Sequence, residues 1–367
     1  MTGRERVVGI LNGSPPERVA WTTLVDDRTR SAMPADVRQM HVLDFYRHIG
    51  CDLLQFGNYG LPPDSRVPSP ARLVTPPVET ATRTEADGTV VRTRTTPWGS
   101  LVAATRGGHP VQHAIGSVEE LRILRKLWEG SHYEETEGME AAHARLEARL
   151  ADLGLFLPTL GPSPVQQLVE IEMGVANFYY LLQDHRAEME ELLAAMQACR
   201  RQEYAIVARR TPAPGLIAVE NTSTALISPA LYRRYSLPQI RDYARIAHAH
   251  GKKLVLHMCG HLRALLPILA ETGMDAMNAL TPPPVGDVPF DAALDALGEN
   301  LVILGGGIRG DVFQKEHVTA DEIWAALDQL FTPRLRRAAF LLSCGADGRP
   351  TPLDRFLAVR QWVERDG

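Results

Sequence analysis

From residue 216 to the C-terminus the chain alternates between two textures, and this constrains the fold more than any other feature. Short apolar runs at 216–220, 253–256, 275–280, 301–304 and 339–342 are separated or followed by helical patterns at 228–251, 262–272, 290–297, 319–331 and 353–364. Runs of this length, apolar at successive positions, read as strands buried on both faces. Strict strand–helix alternation requires a parallel sheet with right-handed crossovers. No long linker or low-complexity segment interrupts it. In a chain of 367 residues the leading solution is a closed (β/α)8 TIM barrel, an α/β fold, with an open doubly wound sheet as the alternative. Gly305-Gly306-Gly307 lacks the G-x-G-x-x-G spacing of a Rossmann site. It reads as a tight turn or a backbone contact to an anion.

The N-terminal half is less regular. Helical patterns are expected at 4–11 and 37–49, the first buried strand at 51–56, and an irregular stretch at 61–77. Residues 78–115 change character: threonine and valine alternate with charge, and Asp87-Gly88 is a hairpin signal. This predicts a three-stranded antiparallel β-meander inserted on the rim of a single domain spanning 1–367. Ser117 and Glu120 form a capping box. Helices at 135–153, 177–182 and 186–209 and a strand at 155–158 complete the expectation.

The central run ends in chemistry. His257 and Cys259 lie two residues apart at a predicted strand end, and positions i and i+2 of a strand share a face. Cys344 follows the last apolar run. An imidazole and two thiols form a three-ligand set for Zn2+ with the fourth position exchangeable. The bland reading is that buried cysteines pack and a strand-end histidine is only hydrogen-bonded. Glu220 is the candidate catalytic residue, either a displaceable fourth ligand or a hydrogen-bonded loop acid. His261 is the rival ligand. Asn58, Tyr59 and Asn278 lie at predicted strand ends as candidate substrate contacts, while Cys51 and Cys199 read as packing residues.

Composition excludes several classes. A formal charge of -5 gives no pull toward nucleic acid or an anionic membrane. Four cysteines fit a reducing compartment rather than a disulfide scaffold. No run is long enough for a membrane span, and the N-terminus lacks a signal-peptide pattern. A cytoplasmic protein acting on a small molecule is expected; its oligomeric state is not legible.

Six stretches, R-E-R-V-V-G-I-L-N-G-S-P-P-E-R-V (4–19), L-D-F-Y-R-H-I-G-C-D-L-L (43–54), I-S-P-A-L-Y-R-R-Y-S-L-P (227–238), H-G-K-K-L-V-L-H-M-C-G (250–260), L-G-G-G-I (304–308) and the S-C-G segment before P-T-P-L (343–353), together resemble the uroporphyrinogen decarboxylase superfamily across nearly the whole chain. That resemblance implies a (β/α)8 barrel. It favours the zinc methyltransferase branch, which includes the methylcobamide:coenzyme M methyltransferases, over the decarboxylases. The decarboxylases' R-Q-A-G-R clamp is absent from 19–30, Cys344 stands where they have a histidine, and their central strand lacks H-x-C. In the methyltransferase branch H-x-C and a later Cys bind zinc, which activates a thiol; the methyl donor is a corrinoid, free or carried by a partner protein, or another methyl donor, and the sequence names neither donor nor acceptor. Three readings follow: a corrinoid/thiol methyltransferase, a decarboxylase-like lyase acting on a tetrapyrrole or other carboxylated substrate, and a catalytically silent ligand-binding barrel.

Overall fold

The structure, a computed structural model, describes residues 1–308, 310–345 and 348–366, with the side chains of Asp311 and Asp366 left aside. Ala346 and Asp347 of the 343–353 motif therefore lie outside the described residues. Eight parallel strand positions form the barrel: β1 (Ala20–Thr22), β2 (Leu53–Phe56), β3 (Gly154–Leu157, continued past Pro158 by Thr159–Leu160), β4 (Gly215–Val219), β5 (Lys253–His257), β6 (Ala276–Asn278), β7 (Val302–Ile308) and β8 (Phe340–Cys344). Ladders join β3 to β4 and so on through β8, then β8 to β1, and separately β2 to β3. The ring closes between β1 and β2 through three bonds, one of them from the Trp21 N–H to Asp52 Oδ2 at 3.3 Å. The Asp52 N–H donates to the Trp21 carbonyl at 2.7 Å, and the Leu54 N–H donates to Thr22 Oγ1 at 3.0 Å. This is the expected (β/α)8 architecture.

Pleat alternation sorts the core into two clusters. Ile217, Val255, Ala276, Val302, Leu304 and Leu341 fill the barrel interior. Leu216, Leu254, Leu256, Ile303 and Leu342 face the helices, in a larger shell. The amino-terminal mouth is plugged by α1 (Gly3–Leu11), opened by a capping box on Thr2 and Glu5 and contributing Val7, Ile10 and Leu11 to the interior. Burying each such side chain stabilises by roughly 1.5–3 kcal/mol. Among the described residues no helix is long and apolar enough to cross a membrane.

Four expectations change. The first barrel strand is Ala20–Thr22, not 51–56, because β1 is only three residues long and too short to show a period. The 37–49 pattern is two helices, Ala35–Gln39 and Val42–Ile49, since Met40 is extended at ψ 146. The meander has four strands, Glu79–Thr84, Val90–Thr96, Gly99–Arg106 and His109–Gln112; Gly107 and Gly108, both at positive φ, form a further hairpin turn. Finally, Ala71–Val74 pairs antiparallel with His132–Glu135, so 61–77 is not wholly irregular, and the helix expected from 135 starts at Met139.

Candidate functional site

The carboxyl ends of the strands surround a cavity of about 710 Å³. His257, Cys259, Asn278, Tyr59 and Cys344 all line it, with Thr22, Phe56, Ser343 and Gly305 to Gly307. The strand register explains the placement. Val219, His257, Asn278 and Leu304 are successive partners across β4, β5, β6 and β7, so their side chains share the inward face at one level.

His257 is half-buried. Its Nδ1 lies 2.6 Å from Asn278 Oδ1, and its ring meets Phe56 edge-on at 5.1 Å. Burial lowers its pKa below the ordinary histidine value, against an opposing contribution from Asn278. Cys259 is exposed, with its Sγ 3.8 Å from Asn221 Oδ1. Asn221 sits at φ 44 and its Nδ2 donates to Glu170 at 3.0 Å. Glu170 lies on the π-helical turn Leu168–Glu172, and π-bulges recur at functional sites. Sequence reasoning missed Glu170 and Asn221; their only signal was the turn residue Asn221, next to Glu220.

Cys344 is buried at 1% exposure, and burial pushes its thiol pKa up. Alternation along β8 puts Leu341 in the interior and Leu342 and Cys344 in the shell. The cysteine therefore meets the cavity at its edge, beside Ser343. The donor set fits zinc in chemistry and in sharing one cavity: two thiols, and an imidazole whose Nε2 is not taken by Asn278. Its spacing is wider than a coordination shell. Among the described residues no three His, Cys, Asp or Glu side chains stand close enough to hold an ion.

Glu220 is not brought to the cavity. It follows Val219, which shares the inward face with His257, so the pleat turns Glu220 toward the helices. There the Ser163 N–H and Oγ donate to its carboxylate at 2.6 and 2.8 Å. It is fully buried, and burial raises its pKa to about 7. His261, exposed beyond the loop, donates its backbone N–H to Ser223 Oγ at 3.2 Å and does not line the cavity. Asn58 is also elsewhere: its amide makes two 2.9 Å bonds to the Val67 backbone, fixing its own loop. Cys51 and Cys199 are buried packing residues. The glycine triplet is not a turn. It continues β7 as a cavity wall at φ 93, 112 and 151.

A uroporphyrinogen decarboxylase (URO-D) family profile matches residues 167–306, the segment from the π-helical turn through β4, β5, β6 and the first two glycines. No curated protein matches the sequence significantly. Among solved structures, a methyltransferase from Methanosarcina mazei is 12% identical, with 100% of this chain and 99% of that one covered at a TM-score of 0.59. A D-psicose 3-epimerase is also 12% identical, covering 67% of this chain and 85% of its own at a TM-score of 0.37. The profile match falls on the strands that carry His257 and Asn278, and the fold matches that of the methyltransferase end to end: over residues 167–306 the chain is similar to the uroporphyrinogen decarboxylase family, on a shared barrel fold.

Proposed function

We propose that this protein is a methyltransferase moving a methyl group from a methylated corrinoid to a thiol, with zinc held by His257, Cys259 and Cys344. One observation carries the reading: an imidazole and two thiols, distant in sequence, line a single cavity at the carboxyl end of the barrel. Two thiolates and a neutral imidazole neutralise a divalent ion, and bound zinc lowers the pKa of a substrate thiol. Cys259, exposed past the end of β5, and Cys344, at the last position of β8, have to turn inward to close the shell. Leu24, Leu54, Phe56, Pro282 and Val285 give the cavity an apolar wall, which excludes water from the reacting atoms. In the transfer the thiol sulfur bonds to the methyl carbon. A corrinoid donor would supply the methyl group and retain the electron pair of its cobalt–carbon bond, with the thiol proton released to solvent.

Glu170, joined to Cys259 through Asn221, is better placed than Glu220 to act beside the transfer. The decarboxylase reading is weaker, because no lysine or arginine among the described residues lines the cavity. Among those residues a substrate with several carboxylates has no charge-assisted partner. A corrinoid protein remains the proposed partner.

The test is metal content together with activity. Purified protein should contain one zinc per chain and methylate a thiol from methylcobalamin. Cys344→Ala should lose both, while Cys51→Ala and Cys199→Ala should lose neither. Metal-free protein that fails to take up zinc, or efficient conversion of uroporphyrinogen, would overturn the proposal.

A further inference from the structure

Asn278 looks like a substrate contact from its place at a strand end, but both ends of its amide are already committed. Its Nδ2 donates to the Leu304 carbonyl on β7. A carbonyl only accepts, so the amide nitrogen must face it and the amide oxygen must face the other way. That oxygen meets His257 Nδ1 at 2.6 Å. An amide oxygen only accepts as well, so the hydrogen in this bond belongs to Nδ1. His257, Asn278 and Leu304 are register partners on three neighbouring strands, so the chain of bonds runs straight across the sheet.

We propose that Asn278 is a positioning residue: it holds His257 in the tautomer protonated at Nδ1, leaving Nε2 bare for the cavity, and Gly305 is glycine to leave Asn278 room. The edge contact with Phe56 fixes the ring from another side. A Cβ at Gly305 would stand 3.0 Å from Asn278 Nδ2, and its φ of 93 already disfavours an L side chain. A side chain there would push the amide off both partners. Only the use made of the bare nitrogen rests on the zinc reading; the tautomer does not.

The experiment is two-bond proton–nitrogen correlation on 15N-histidine-labelled, metal-free protein, with His257 assigned by loss of its signals in H257Q. The expected pattern has Nδ1 proton-bearing and Nε2 pyridine-like. Asn278→Leu, close in shape but without either polar end, should give mixed tautomers. Gly305→Ala should do the same from the neighbouring strand, and Val285→Ala, on the exposed wall, should not. Zinc affinity, titrated separately, should fall by about 10- to 100-fold in N278L and G305A, the usual effect of losing an outer-sphere partner of a metal ligand. A wild-type His257 protonated mainly at Nε2, or an N278L spectrum unchanged from wild type, overturns the positioning role; the wild-type spectrum decides even where a variant does not fold. A locked tautomer in protein that binds no zinc sinks the metal reading and leaves this one standing. Zinc binding without tautomer preference does the reverse.

Discussion

The two ends of this barrel use polar groups in opposite ways. At the amino-terminal end Asp52, 1% exposed, is encircled by donors: Arg6, Arg18 and the Trp21 N–H. Below it α1 fills the interior with aliphatic side chains. At the carboxyl end His257, bonded to Asn278, and Cys259, bonded to Asn221, border the cavity. A satisfied buried network stabilises the fold, whereas polar groups that border a cavity can meet a ligand. Barrel enzymes divide stability and chemistry between their ends in this way.

Substitutions can break or sharpen that contrast. The largest effect on stability should come from the closed end. Asp52→Ala leaves Arg6 buried without its main partner and should cost roughly 3–5 kcal/mol in urea denaturation, with the His257 tautomer unchanged. An effect under ~1 kcal/mol would mean that the closed end is not the stabilising one.

Next is Glu220, between the ends and turned into the shell. Its folded pKa of about 7 lies above the ordinary 4.5, so the folded state binds its proton more tightly than the unfolded chain does. The associated stability is fully present below pH ~4.5 and is lost as pH rises through about 7, a swing of roughly 3 kcal/mol. Denaturation midpoints measured between pH 4 and 8 should show that decline in the wild type and a flatter curve in Glu220→Gln. An identical slope in both would remove Glu220 from the account.

A smaller effect is expected at Asn58. Its two bonds to the Val67 backbone are worth roughly 1–2 kcal/mol together, so Asn58→Ala should lower the melting temperature by a few degrees and leave substrate affinity alone. A raised KM with unchanged stability would restore it as a substrate contact. Smallest in stability and largest in function is Cys259→Ala. At an exposed position the change should stay within about 0.5 kcal/mol, while thiol methylation disappears. Retained methylation would remove Cys259 from the chemistry.

The same contrast shows what the sequence could reveal. The alternation after residue 216 was legible because each strand is flanked by its own helix, and periodicity is a local property. The placing of His257 and Cys259 at one strand end was legible for the same reason, and both line the cavity, although the strand itself stops at His257. Ala20–Thr22 was not, since three residues carry no period and become a strand only through pairing with β8, more than three hundred residues later. Ala71–Val74 likewise exists through its distant partner. Of the two readings of Glu220 the structure has the hydrogen-bonded acid: with the strand ending at Val219, the inward face belongs to odd positions. Cys344 shows the same parity, one step past Ser343. The glycine triplet was read as punctuation because its composition suggests a turn, yet its neighbours Leu280 and Leu342 press so close that only glycine continues the strand there.

The closure between β1 and β2 has a further consequence. Every other junction is a ladder, but here one backbone–backbone bond and two bonds through the side chains of Thr22 and Asp52 span the gap. Thr22 also lines the cavity. The barrel therefore has a seam, where it can breathe laterally at the expense of three bonds, two of them through side chains, rather than a row. Slow hydrogen exchange should fade first at the Asp52 and Leu54 amides, and a bulky ligand that wedges the cavity open would be felt there before anywhere else on the ring.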